Sequence, residues 1–297
     1  MTDLFGFLNC DKPPGITSRD VVNVVQRRLR PAKIKVGHCG TLDPLAEGVL
    51  VIGVGAAVRL VPYVQQQPKQ YRGKFRLGAS SETGDLEKGF TEHPDLPTPS
   101  LDQLQSARQS LIGLIQQVPP AYSAIWVDGQ RAYERVRRGE DVEMPSRQVM
   151  IHDLQIVSMN YPEFELDIVC GSGTYIRTLG IDLARAVGST AVMTHLKRTG
   201  VGDFSIESAV TIDQLRDAPL EPLLFPPIRA VSHLPRLVVD EDGSQRLANG
   251  LCVEGTPSGD VNEQSDVAAV NEVGELRAIL RRKSRGWCPY RVFPLPT

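Results

Sequence analysis

The sequence carries no surplus of positive charge: 33 lysines and arginines stand against 35 aspartates and glutamates, a formal net charge of -2 over 297 residues. That excludes wholesale electrostatic attraction to a polyanion, so a nucleic-acid partner has to be met by local clusters. Cysteines spaced for metal or redox chemistry are also missing. Cys10, Cys39, Cys170, Cys252 and Cys288 are odd in number and widely separated, with no Cys-x-x-Cys pair for zinc or a redox dithiol, and they read as reduced thiols of a cytoplasmic protein. No stretch approaches the roughly 18 consecutive apolar residues of a membrane span. The opening MTDLFGFLNCDK carries acid where a secretion signal carries a basic region. Neither secretion nor a membrane partner is expected, and no internal repeat or low-complexity segment is found.

The remaining composition, 41% hydrophobic and 23% charged, is that of ordinary globular domains, and the length suits one large domain and one small one. Positive charge gathers in three places: Arg27, Arg28, Arg30, Lys33 and Lys35; Arg135, Arg137 and Arg138; and Arg281, Arg282, Lys283 and Arg285. A single cluster of this kind is commonly only a solvated face.

Residues 6–10 read as a strand, ended by Pro13, Pro14 and Gly15, after which Thr17 or Ser18 caps a helix with Val21, Val22, Val25 and Leu29 inward. VLVIGVG, from Val49, is too short for most helices and reads as a buried strand. Alternation predicts strands over Lys69–Ala79, IHDLQIV and FELDIV, and SSETGDLEKGFTEHPDLPTPS is a polar loop. Ser100 and Gln103 form a capping-box pattern for a helix carrying Leu104, Leu111 and Ile115 and ending before Pro119. Thr174 opens another, with Ile176, Leu179, Leu183 and Val187 on one stripe. Strands and helices mix without regular βαβ alternation, which points to an α+β fold. APLEPLLFPPIRAVSHLP, rich in proline, reads as a linker crossed by few hydrogen bonds, and short apolar runs beyond it suggest a small β-rich domain over 235–297.

The segment of greatest chemical interest is GHCGTLDPLAEGVL, residues 37–50, an irregular loop leading into a buried strand. Its glycines permit close approach of backbone to a ligand, and Pro44 biases Asp43 away from helical conformation, holding the carboxylate at a loop tip. A turn aspartate bonded to its own backbone is the plainer reading of the same residues.

This segment resembles the active-site motif of the TruB family of tRNA pseudouridine synthases, G-H-x-G-x-L-D-P, whose aspartate is catalytic. FLNCDKPPGITSRDVV resembles the family's first motif, KQYRGKFRLG its tyrosine motif, VPPAYSAIWVDGQRAYERVRRG its RNA-clasping insertion, and GSGTYIRTLGIDL its arginine motif, in the same order. The resemblance implies a pseudouridine synthase fold, with a mostly antiparallel mixed sheet flanked by helices over residues 1–233, followed by a PUA-like domain. It also implies that uridine 55 in the T loop of tRNA is isomerised to pseudouridine. The N1 glycosidic bond breaks, the uracil rotates, and C5 bonds to the ribose; nothing is oxidised and no group leaves, so no cofactor or metal is called for. A carboxylate suffices, as nucleophile or as base at the ribose, and Asp43 is the candidate.

An aspartate in an apolar pocket needs a positive partner to stay ionised. By resemblance that partner is Arg177, in a two-pronged bond; otherwise Arg177 is a surface arginine, as Arg185 and Arg198 are expected to be. Tyr71 matches the aromatic platform for the flipped base and a proton acceptor for C5, or else packs on the core. Tyr175 and Leu196 match positions lining the uracil pocket, His38 a residue filling the gap left by the flipped base, and Lys12 a lysine near the same site. Arg131, Arg135, Arg137 and Arg138, in an insertion over 117–148, would clasp the T arm through phosphates, while the C-terminal part holds the acceptor end. A monomer is expected.

The chain departs from the usual wording at Cys39 and Glu47, and the loop SSETGD differs from the acidic pattern that follows the tyrosine motif, which leaves the role of Asp85 open. Glu47 invites an acid–base pair with Asp43 of the hydrolase kind, and Cys39 beside His38 a thiol nucleophile, although adjacent side chains seldom face each other. A tRNA-binding or folding chaperone on the same scaffold, or a synthase acting on other RNAs, are the rival readings.

Overall fold

The computed structural model describes residues 4–123, 125–127, 129–262 and 264–294. The chain divides into two compact units: one holds the residues up to Asp43, Val49–Gln65 and the residues from Gly202 on, the other Pro44–Gly48 and Gln66–Val201.

In the first unit the strand Gly6–Lys12 gives way at the proline turn to the helix Ser18–Leu29. Thr17 is the cap: its hydroxyl accepts from the Asp20 N–H, and the Asp20 carboxylate accepts in return from the Thr17 N–H. This satisfies two donors that a helix start leaves orphaned. Val21, Val22, Val25 and Leu29 recur at helical spacing and pack with Leu8, Leu50, Ile52 and Val54 in one core. Each such side chain contributes roughly 2 kcal/mol on burial. The strand Glu47–Val54 is buried at every residue except Glu47, as its aliphatic run predicts. Val36–His38 returns antiparallel along it, with His38 opposite Ile52.

The proline-rich stretch is not the loose linker its composition suggests. Phe225 exchanges two backbone hydrogen bonds with Phe7, at 2.9 and 2.8 Å, and Ala230 and Val231 are fully buried. Proline removes donors only where it stands, and the residues between the prolines pair and pack as a core segment does.

Beyond it Arg236–Val238, Val267–Val270, Leu276–Lys283 and Gly286–Val292 form a separate four-stranded sheet, the first pair parallel and the rest antiparallel. Its own core includes Leu237, Leu247, Val267, Leu280 and Trp287. Here a second expectation fails: Cys252 and Cys288 form a disulfide. Val253 and Trp287 exchange backbone hydrogen bonds at 2.9 Å in both directions, so the next pair outward is a non-hydrogen-bonded antiparallel pair, the closest approach a sheet offers. Cys10, Cys39 and Cys170 are reduced and buried, and burial raises the Cys170 thiol to about 11.

In the second unit Ala191–Val201, Lys69–Leu77, Glu163–Cys170, Arg147–Asn160 and Gly113–Gln117 run antiparallel, each beside the next. Glu47–Gly48 adds a parallel pairing to Lys197–Arg198. The sheet is mixed and mostly antiparallel, and with its helices and the separate C-terminal sheet the architecture is α+β, as expected. The helix expected through Ile115 stops earlier: Leu101–Ala107 is helical and begins with the predicted Ser100–Gln103 capping box, a 3-10 turn follows, and Ile115 lies in a strand opposite Val149. Ile112 is already extended, at φ -97° and ψ 143°, Gly113 follows at φ 95°, and strand pairing decides the rest.

Candidate active site

Asp43 is exposed at the tip of its loop, between Leu42 and Ala46, whose side chains are buried. The loop is anchored on its N-terminal side by Ser18. The Leu42 N–H donates to Ser18 Oγ at 2.8 Å, and that hydroxyl donates to the Leu42 carbonyl at 3.0 Å. On the C-terminal side Gly48, at φ 99°, lies against the Arg198 backbone, where an added Cβ would come within 2.2 Å of the carbonyl oxygen. Only glycine fits that approach. Glu47, the second carboxylate of the segment, is held by His195 Nε2 at 3.4 Å and Lys197 Nζ at 3.6 Å, which gives it a partner of its own. Cys39 is buried, and its N–H is bonded to the Val51 carbonyl at 2.8 Å.

Arg177 is not a surface arginine. It lies in the first turn of the helix Ile176–Arg185, 6% exposed, and its Nη1 is 3.2 Å from the Asp85 carboxylate. The same nitrogen donates to the Thr83 carbonyl at 2.6 Å, and Nη2 donates to the Tyr122 carbonyl at 3.1 Å. Asp85 is fixed in turn: the Thr83 hydroxyl and the Glu87 N–H donate to Oδ1, at 2.6 and 3.0 Å. A buried guanidinium is tolerated because it is paired and hydrogen-bonded. The sequence left Asp85 open; it stands between Glu82 and Glu87 shortly after the tyrosine motif, and its partner is far along the chain. Of the other two arginines, Arg185 is exposed and ion-paired to Asp182, as expected, whereas Arg198 is 2% exposed in the strand Ala191–Val201.

The helix carrying Arg177 starts later than Thr174. Tyr175 is its N-cap residue, and Thr174 bonds back to the Gly171 carbonyl at 3.1 Å. Gln117 fixes this entry by bonding both backbone groups of Tyr175, at 2.7 and 3.0 Å, and the Arg147 guanidinium stacks over the Tyr175 ring at 4.9 Å. Tyr71 sits on the central strand Lys69–Leu77, half-buried, opposite Ile168 and Arg198; Leu196 lies opposite Gly73. Residues directly opposite share a face, so Tyr71, Gly73 and Leu196 belong to one side of the sheet. The helix Ile176–Arg185 covers that side, since Ile176 and Phe75 approach Gly73, and Phe75 packs directly on Gly180.

His38 ends its short strand, half-buried. Lys12 is fully buried, its ammonium donating to the carbonyls of Pro13 and Ile16 at 3.0 and 2.8 Å, and it thereby pins the turn into the helix Ser18–Leu29. In the expected insertion Trp126–Val127 pairs with Gln130–Arg131 ahead of the helix Ala132–Arg137; positions 124 and 128 lie outside the described residues. Its arginines have partners: Arg131 stacks on Trp126 at 4.5 Å, Arg135 and Arg138 hold Glu140, and Arg137 approaches Glu87 at 3.7 Å.

The same fold occurs in a chain of an H/ACA RNP bound to a substrate RNA containing 2'-deoxyuridine, with a TM-score of 0.77, 22% identity, and coverage of 98% of this chain and 86% of the other. It occurs as well in a chain of a Cbf5-Nop10-Gar1 complex, with a TM-score of 0.75, 24% identity, and coverage of 98% and 85%. Residues 27–176 match the TruB family pseudouridylate synthase N-terminal domain, and 177–223 the tRNA pseudouridylate synthase B C-terminal domain. Relatives called tRNA pseudouridine synthase B include those of Rhodopirellula baltica, 40% identical over 97% of this chain and 94% of that protein, and Moorella thermoacetica, 38% identical over 94% of each. The chain belongs to the TruB family of pseudouridylate synthases.

Proposed function

We propose that this enzyme isomerises uridine 55 in the T loop of tRNA to pseudouridine, with Asp43 as nucleophile. The observation that carries the reading is Asp43 itself, an exposed carboxylate on a loop anchored at Leu42, within the GHCGTLDP segment of a TruB-family chain whose relatives are called tRNA pseudouridine synthase B. In this reading the carboxylate attacks C1′ of the ribose as the N1 glycosidic bond breaks, the detached uracil turns, C5 displaces the carboxylate from C1′ and so frees Asp43, and the C5 proton leaves while N1 gains one. Tyr71 is the stacking platform and the acceptor of the C5 proton, and Arg177 is the third catalytic residue. Tyr175, Leu196, His38 and Lys12 serve the flipped base and its surroundings.

Residues 1–233 form the catalytic domain and 235–297 a PUA-like domain that holds the acceptor end. Arg131, Arg135, Arg137 and Arg138 meet phosphates of the T arm, and the last three exchange carboxylate partners for RNA. The enzyme works as a cytoplasmic monomer. The test is to incubate the protein with an unmodified tRNA transcript and map pseudouridine by carbodiimide adducts that stop primer extension. The reading requires a single new stop reporting position 55; stops elsewhere, or none with bound tRNA, favour another RNA substrate or a chaperone role.

A further inference from the structure

The helix Ser18–Leu29 begins with two adjacent hydroxyls that serve different purposes. Thr17 caps the helix. Ser18, 2% exposed, points inward, where its single hydroxyl satisfies both backbone polar groups of Leu42, 24 residues away. The helix start therefore does not need Ser18 as a cap.

The location of this tie has a chemical consequence. Leu42 is bonded directly to Asp43, so its fixed carbonyl sets the peptide plane from which the Asp43 backbone departs. On the other side Pro44 restricts Asp43 to extended conformations. Both bonds to Ser18 are buried, where water does not replace them readily.

We propose that Ser18 is a positioning residue for the Asp43 carboxylate, acting through the Leu42 backbone. The proposal rests on the reading of Asp43 as the catalytic carboxylate. Ser18→Ala breaks the tie on both sides and leaves a buried N–H and carbonyl without a partner, so the loop tip relaxes. The RNA-binding surface is untouched, so the loss falls on the chemical step.

The experiment uses the full chain and a tRNA transcript tritiated at C5 of uridine, comparing single-turnover release and tRNA affinity for the natural protein, Ser18→Ala, Ser18→Thr and Asp43→Asn. A misaimed reacting group costs about a hundredfold in rate, so Ser18→Ala is expected to slow release by that order. Its Kd should stay within about twofold, because ground-state binding is unaltered. Ser18→Thr keeps the hydroxyl and recovers most of the rate. An unchanged rate in Ser18→Ala, a loss confined to Kd, or a folded Ser18→Thr as slow as Ser18→Ala overturns the proposal. Hydrogen exchange in the natural protein decides it even where Ser18→Ala does not fold: the Leu42 amide is expected to be strongly protected, and exchange at the free-peptide rate contradicts the tie. Full activity in Asp43→Asn overturns the catalytic reading itself, and the positioning role falls with it.

Discussion

Arg177 and Asp85 form an ion pair at 3.2 Å with both side chains 7% exposed. The guanidinium also bonds the carbonyls of Thr83 and Tyr122, so three partners fix its plane. Lysine has neither the fork nor the reach to serve all three. Arg177→Lys is therefore expected to keep the fold, by circular dichroism, and to lose about a hundredfold in single-turnover rate. A fully active variant refutes the catalytic assignment of Arg177.

Removing the countercharge has a different effect. Asp85→Asn takes the carboxylate out of the buried pair with Arg177, which costs about 3 kcal/mol. Urea denaturation should show the midpoint falling with an unchanged slope. Stability equal to that of the natural protein would mean that the pair contributes nothing net.

Gly180 lies where the helix Ile176–Arg185 meets the Phe75 ring, and an added Cβ would come within 2.0 Å of it. Alanine favours helix by about 1 kcal/mol, but overpacking costs about 1–3 kcal/mol, and at this distance the clash wins. Gly180→Ala is expected to destabilise, and Phe75→Leu in the same chain to relieve part of the loss. Additive losses in the double mutant would contradict direct packing.

The Cys252–Cys288 bond closes a loop of sequence separation 36, for which chain entropy predicts a stabilisation of about 4 kcal/mol. Alkylation of the denatured protein before reduction should block three cysteines, and after reduction all five. Five alkyl groups without reductant would show the bond absent in solution.

Tyr71→Phe keeps the aromatic platform and removes the hydroxyl. If that oxygen accepts the C5 proton, release slows by about a hundredfold, the usual scale for a lost general base, while tRNA affinity holds. An unaltered rate assigns the proton to another group.

Local features of this fold are plain in the sequence. Thr17 and Asp20, Ser100 and Gln103, and the aliphatic run ending at Val54 each act within a few residues, and each forms the element its pattern specifies. What escaped depends on partners far along the chain. Ile115 pairs with Val149 and leaves the helix its spacing suggested. Phe225 pairs with Phe7 inside a stretch that looked like a linker. Cys252 meets Cys288 through a strand pairing that no Cys spacing announces. In the site, Asp43 stood out because glycine and proline mark its loop, and Arg177 through its motif. Asp85 and Ser18 did not, because neither an ion pair with a side chain far along the chain nor a hydrogen bond to a distant backbone leaves a local pattern.

The central claim is tested most directly by tritium release from C5-labelled uridine in a tRNA transcript, with the natural protein, Asp43→Asn, and a transcript in which uridine 55 is replaced. Release that needs both Asp43 and uridine 55 is the predicted result. Release by Asp43→Asn at the natural rate would contradict the assignment of the carboxylate, and release from the replaced transcript would contradict the assignment of the substrate.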